Sequence, residues 1–204
     1  MFDPDLVDRR RLVTRCDLLV RLGEVDSTVC VPVPVLGRLV NDLATRDGGL
    51  VYAVAYEFAA GLAPDIDSTD DARGMGRALA GLHASMARLP RGDLPGLTAF
   101  PPMSELSAVA VELGLPAATH PPATVDDGPS QLLHGDFSSK NARVSTTTWR
   151  IFDFDDCGYG PIQYDLANSL YFVLFGSMTS IEPGTYRSSY VCQVAVSGCE
   201  ARQG

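Results

Sequence analysis

Apolar positions predict helices in three stretches of the chain. Leucines at roughly helical spacing predict a helix between Asp5 and Leu22. A second helix is predicted from Ser68, because Ser-Thr-Asp-Asp is a typical helix start and apolar residues follow on one face, namely Met75, Leu79, Leu82, Met86 and Leu89. A third is predicted where Asp165 opens an apolar run that continues to Phe175.

Apolar residues also predict strands. The largely apolar segment Leu50–Tyr56 predicts one strand. Further along, alternating apolar and polar residues predict a β-hairpin that pairs Ala142–Val144 with Trp149–Phe152. The polar stretch Ser145–Thr148 is the predicted turn of this hairpin.

Candidate chemistry lies on both sides of the hairpin. His134-Gly135-Asp136 precedes it, and Asn141 and Asp153 stand at its two ends, where the pairing would bring them together. Phosphoryl transfer needs one carboxylate at the attacking hydroxyl, and an amide oxygen and a second carboxylate that hold Mg²⁺ on nucleotide phosphates. Asp136 is therefore the candidate catalytic base, and Asn141 and Asp153 are the candidate magnesium ligands.

These motifs resemble those of the phosphotransferase family that includes aminoglycoside phosphotransferases, choline kinases, homoserine kinases and fructosamine kinases. The pattern H-G-D-x-x-x-x-N is met from His134 to Asn141, and an apolar strand ending in I/F-D-F is met at Ile151–Phe154. A glycine-containing stretch that ends in Asp-Leu-Ala is met at Asp165. The resemblance implies an α+β, two-lobed, protein-kinase-like fold, with a partial N-lobe and hinge in residues 1–60 and a mainly helical C-lobe in residues 61–204.

The same resemblance implies roles for further residues. At the hinge, the Glu57 carbonyl and the Ala59 amide are expected to pair with adenine. His134 is expected to support the backbone that aims Asp136, and Asp165 to cap its helix and brace the same loop. ATP and Mg²⁺ are the implied cofactors, and the implied reaction phosphorylates a hydroxyl of a small molecule such as an amino sugar or an amino alcohol.

One part of the family pattern is missing. Family members carry a nucleotide-binding lysine on an N-lobe strand, whereas the only lysine of this chain is Lys140. The first strands of the N-lobe are therefore expected to be absent, with Arg15 or Arg21 as possible substitutes for the missing charge. The alternatives are a catalytically impaired, pseudokinase-like protein that binds a nucleotide or a partner, a bacterial Ser/Thr protein kinase, or a true start upstream of Met1.

The composition of the chain argues against some classes of binding partner. A hydrophobic content of 46% argues against disorder, and a net charge of −9 argues against nucleic acid or an anionic membrane as partner. The acidic balance suits a cationic acceptor. Five widely spaced cysteines, with no C-x-x-C pair, predict free thiols and a cytoplasmic location, and no signal peptide or membrane span is predicted. The oligomeric state stays open.

Overall fold

The fold is taken from a computed structural model that describes residues 7–89, 94, 97–102, 105, 130–146 and 148–178, with side chains described to Tyr171. Its helices are α1 (Arg9–Val25), α2 (Thr69–Met86) and α3 (Gln163–Met178). Its strands are β1 (Pro32–Val33), β2 (Asn41–Ala44), β3 (Leu50–Ala53), β4 (Ala55–Tyr56), β5 (Thr98–Ala99), β6 (Gln131–Leu133), β7 (Ala142–Ser145), β8 (Thr148–Ile151) and β9 (Gly158–Gly160).

Helix α1 begins later than its leucine pattern predicts. Asp8 is extended, and its carboxylate accepts a hydrogen bond from the Arg10 backbone N–H at 3.0 Å, so the cap places the first helical residue at Arg9. The helix continues to Val25, three residues beyond the predicted end. Its apolar face is buried as expected, and it carries Leu12, Cys16, Leu18, Leu19 and Leu22.

The predicted strand over Leu50–Tyr56 is two strands with different partners. Strand β3 pairs antiparallel with β2, whereas β4 pairs antiparallel with β1. The break falls at Val54, which packs against a small apolar cluster that includes Leu12, Cys16 and Val40. The chain therefore changes sheets where this side chain enters the core.

Helix α2 carries the centre of the main core. Ser68 caps it as predicted, since its hydroxyl accepts the Asp71 N–H at 3.3 Å. Met75, Leu79, Leu82 and Met86 are buried against leucines of α1 and residues of the hairpin. Gly74 allows α2 to pack closely against the hairpin, because a Cβ there would lie 2.2 Å from the Trp149 ring.

The second half of the structure contains the predicted hairpin. Strands β7 and β8 pair antiparallel from Ala142↔Ile151 to Ser145↔Thr148, so the turn is tighter than the predicted four residues. Thr146 has a φ of +53° in this turn. Beside the hairpin, β9 pairs parallel with β5 and antiparallel with β6, and this sheet leads into α3.

Three cysteines are free and buried, as the sequence predicts. They are Cys16, Cys30 and Cys157, whereas Cys192 and Cys199 lie outside the described residues. Burial raises the pKa of Cys16 to about 11, so its thiol stays protonated near neutral pH. Over the described residues, the helices lack the combination of length and apolar character that a membrane crossing requires.

Candidate active site

Asp165 holds the loop that joins β6 to β7. Its side chain is fully buried in the first turn of α3. One carboxylate oxygen accepts the Gly135 N–H at 2.8 Å, and the other accepts the His134 N–H at 2.9 Å and lies 2.8 Å from His83 Nε2. Asp165 therefore supports the loop backbone, as expected. It does not cap α3, because it is the third residue of that helix.

Asp165 is ionised in this environment. Burial is the largest influence and by itself raises the pKa of Asp165. The hydrogen bond and charge of His83, together with the Gly135 N–H, outweigh burial and lower the pKa of Asp165 below its ordinary value.

His134 connects the loop to the end of β8. Its ring is fully buried, with Nε2 3.0 Å from the Phe152 carbonyl and Nδ1 3.2 Å from the Asp136 backbone nitrogen. A carbonyl only accepts and a backbone N–H only donates, so the ring is neutral and carries its hydrogen on Nε2. Burial lowers the pKa of His134, which favours the same neutral state.

We expect this buried imidazole to make the fold sensitive to mild acid. Because the pKa of His134 is lower in the folded chain than in the unfolded chain, the unfolded chain binds more protons as the pH falls below about 6.5. The free energy of unfolding should therefore be highest above that pH and decline below it. Urea unfolding at several pH values between about 8 and 5 measures the slope. His134→Asn should flatten the slope, and equal slopes in the two proteins would contradict the assignment.

The Asp136 carboxylate is held by amides at both oxygens. Asn141 Nδ2 donates to one oxygen at 2.8 Å and to the Asp136 carbonyl at 2.9 Å. Asn168 Nδ2 donates to the other oxygen at 2.8 Å. Sequence analysis does not single out Asn168, although a polar residue one turn after Asp165 in an apolar helix is the signal that could have identified it.

Asp153 lies at the exposed end of the hairpin. The preceding residue, Phe152, donates its N–H to the Asn141 carbonyl at 3.1 Å, so Asn141 and Asp153 are neighbours across the strand ends, as predicted. Asp153 has a φ of +65°, in the left-handed region that residues other than glycine rarely adopt. Such strain is concentrated at binding sites, where the surrounding structure enforces it.

The donor atoms fit a magnesium ion. Both contacts made by Asn141 Nδ2 go to Asp136, which leaves the amide oxygen of Asn141 for a cation beside the Asp153 carboxylate. Within the described ranges, no group of three or more His, Cys, Asp or Glu side chains could hold a metal by itself. A cation here would need further oxygens from phosphate and water, which is the usual coordination of Mg²⁺.

Gly135 lies where the loop that carries Asp136 packs against the loop that carries Asp153. Its φ is +87°, and a Cβ at this position would lie 2.3 Å from the Asp156 carbonyl. The glycine of the His-Gly-Asp motif therefore allows the loop that carries Asp136 to contact the loop that carries Asp153.

The hinge contains the two groups expected to pair with adenine. The Glu57 N–H donates to the Val31 carbonyl at 3.0 Å, and the Glu57 carboxylate accepts from Arg150 and from the Val31 N–H. In the described part of the chain, the Glu57 carbonyl and the Ala59 amide form no backbone hydrogen bond with each other or with another residue.

Only one of the two candidate substitutes for lysine, Arg15, reaches the loop that carries Asp153. Arg15 has a side chain that is 5% exposed, and its Nη1 lies 2.7 Å from Asp155 Oδ1. Arg21 is exposed on α1. Burial raises the pKa of Asp155 more than the Arg15 guanidinium lowers it. Arg15 therefore places a positive charge two residues from Asp153, where it is already bound to a carboxylate.

Several kinase structures resemble the chain at low sequence identity. An amicoumacin kinase, in complex with AMP-PNP, Ca²⁺ and Ami, has a TM-score of 0.70 at 19% identity, over 96% of this chain and 62% of that one. A microcompartment-associated aminopropanol kinase has a TM-score of 0.59 at 20% identity, over 96% and 74%. A GDP complex of wild-type aminoglycoside 2'-phosphotransferase-IIIa has a TM-score of 0.54 at 17% identity, over 91% and 65%.

These likenesses confirm the predicted α+β, protein-kinase-like fold. The chain spans less than two thirds of the length of the amicoumacin kinase and of the 2'-phosphotransferase. No curated protein sequence matches it. The family model described as the phosphotransferase enzyme family, APH, matches residues 5–185, nearly the whole sequence. The chain belongs to the phosphotransferase enzyme family.

Proposed function

We propose that this protein transfers the terminal phosphoryl group of ATP to a hydroxyl of a small molecule. The observation that carries the proposal is the position of Asn141. Its amide nitrogen donates to the Asp136 carboxylate, and its amide oxygen is left for a cation beside Asp153. One side chain would thus join the candidate base to the candidate metal site, the two parts that phosphoryl transfer needs.

In the proposed reaction each residue has a distinct role. The Glu57 carbonyl and the Ala59 amide would pair with adenine, and Asn141 and Asp153 would hold Mg²⁺. When bound, the ion would neutralise charge on the phosphate oxygens. The acceptor oxygen forms a bond to the terminal phosphorus as the bond to ADP breaks, and the hydroxyl proton passes to the Asp136 carboxylate.

For the acceptor we propose an amino alcohol or an amino sugar. The structures that resemble this chain include kinases named for amicoumacin and aminopropanol and a phosphotransferase named for aminoglycosides. A net charge of −9 favours the approach of a cationic acceptor over an anionic one.

We expect Asp153→Asn to weaken the binding of Mg-ATP by at least about tenfold, which corresponds to about 1.4 kcal/mol. The carboxylate is replaced by a neutral amide of the same shape, so charge at the metal is lost while packing at this exposed position is kept. Isothermal titration calorimetry of ATP with and without Mg²⁺ measures the effect. Asp70→Asn is the matched control, since its side chain is 91% exposed on the first turn of α2.

The transfer assay then tests the reaction itself. The wild type is incubated with Mg-ATP and a panel of amino sugars, amino alcohols and a generic protein substrate, and ADP release is compared with phosphate incorporation. Transfer to an amine-bearing small molecule supports the proposal. Binding of Mg-ATP without any transfer would favour the pseudokinase alternative, and transfer to protein alone would favour the Ser/Thr kinase alternative.

A further inference from the structure

Side chains on one face of α3 form hydrogen bonds with the loop that carries Asp136. Asp165 accepts the N–H groups of His134 and Gly135, as described above. Asn168, one turn later, donates to the Asp136 carboxylate at 2.8 Å. The buried hydroxyl of Ser169 lies 2.8 Å from the Phe137 carbonyl.

These three helix residues stand at positions i, i+3 and i+4, which lie on one side of a helix. They contact four consecutive loop residues in order, from His134 to Phe137. Three of the four contacts hold backbone atoms, so they fix the path of the loop. The contact from Asn168 is different, because it reaches the side chain that the proposed reaction uses.

The Asp136 carboxylate can rotate about its last side-chain bond even when the loop backbone is fixed. Rotation about its last side-chain bond is broad and roughly two-fold, so a fixed backbone alone leaves the plane of the two oxygens undefined. Asn141 donates to one oxygen and Asn168 donates to the other, both at 2.8 Å. Two donors at opposite ends of the group define its plane.

We propose that Asn168 is a positioning residue that, together with Asn141, fixes the plane of the Asp136 carboxylate for the acceptor hydroxyl. The inference rests on the proposed function for its catalytic consequence, but the contact can be tested without activity. Each amide occupies one acceptor site on its oxygen, and the remaining lone pairs face away from the two donors. The acceptor hydroxyl then meets an oriented carboxylate rather than a rotating one, which favours proton transfer.

Two measurements on Asn168→Ala test the inference. In the first, ¹³C NMR compares the chemical shift of the Asp136 carboxyl carbon, identified by its absence in Asp136→Asn, between the variant and the wild type at one fixed pH. Loss of the donor at one carboxylate oxygen should change this chemical shift. In the second, kcat should fall about 10- to 100-fold, the effect of losing a hydrogen bond to a charged group, while KM for Mg-ATP stays within about twofold.

Asn168→Asp keeps the shape of the side chain and serves as a second variant should the alanine protein fail to fold. Two carboxylates would then face each other, so kcat should fall further at pH 8 and recover as the pH is lowered and the new carboxyl gains a proton to donate. Asn41→Ala is the control, because it removes a similar amide, bound to the Arg38 carbonyl at 3.1 Å, from the other end of the structure.

An unchanged chemical shift of the Asp136 carboxyl carbon overturns the inference, and so does a changed chemical shift with wild-type kcat. A lower melting temperature with a wild-type chemical shift and wild-type kcat would show that Asn168 serves the fold alone, which also overturns it. Absence of transfer by the wild type is a separate result. It counts against the proposed function, while the chemical shift still decides whether Asn168 holds Asp136.

Discussion

Replacing Asp136 by asparagine is expected to reduce kcat by about 10²- to 10⁴-fold, the usual contribution of a positioned general base. The amide cannot accept the hydroxyl proton, and it carries no charge to orient the acceptor. Mg-ATP binding should persist, because the proposed metal ligands, Asn141 and Asp153, are unchanged. Initial rates of ADP release at saturating acceptor, with calorimetric titration of Mg-ATP, measure the two effects separately.

The same substitution has a structural cost that follows from the two amide donors. An asparagine side chain has one acceptor oxygen, so either Asn141 or Asn168 must face an NH₂ group instead of a carboxylate oxygen. One unsatisfied polar contact of this kind costs about 1 to 3 kcal/mol. Urea unfolding should detect this loss, whereas Asp70→Asn, at an exposed position, should show neither effect. Transfer that survives Asp136→Asn would remove Asp136 from the mechanism.

The arrangement of Asp136, Asn141 and Asp153 around the hairpin could be predicted from the sequence because these residues lie close together along the chain. Asp136 and Asn141 are five positions apart, and the hairpin that returns the chain to Asp153 is itself a local structure with a period of two. Capping chemistry likewise identified the start of α2 at Ser68. These features depend on interactions between residues that are close in sequence, so local patterns predict them.

The remaining features depend on contacts between distant segments. Arg15 pairs with Asp155 across 140 positions, and no local pattern relates the two. The change of partner at Val54 depends on a core that forms only when α1 packs on the small sheets. The polar position of Asn168 in an apolar helix can be seen in the sequence, but its partner Asp136, 32 positions away, cannot. The division into a partial N-lobe over residues 1–60 and a C-lobe over residues 61–204 stays a prediction.

The largest effect on stability is expected at Asp165, where asparagine should lower the free energy of unfolding by about 3 to 5 kcal/mol, the cost of breaking a buried charged contact. The carboxylate is fully buried and receives three donors, two from the loop backbone and one from His83. Asparagine offers one acceptor oxygen and turns its NH₂ group toward a backbone N–H. Urea unfolding at pH 7.5 measures the loss.

Asp26→Asn is the control for loss of charge alone, since a single oxygen of the part-buried Asp26 accepts both the N–H and the hydroxyl of Thr28. The asparagine oxygen can accept both, so the free energy of unfolding should fall by less than about 1 kcal/mol, the net value of an ordinary hydrogen bond. A large difference between the two variants would show that the broken contacts of a buried carboxylate, rather than loss of a negative charge by itself, make Asp165 important. The lowered pKa of Asp165 adds a second test, because its contribution is present above the pKa of an unfolded aspartate and is lost as the pH falls through the folded value. Wild type and Asp165→Asn should therefore converge in stability in strong acid, and a constant difference at every pH would contradict an ionised Asp165.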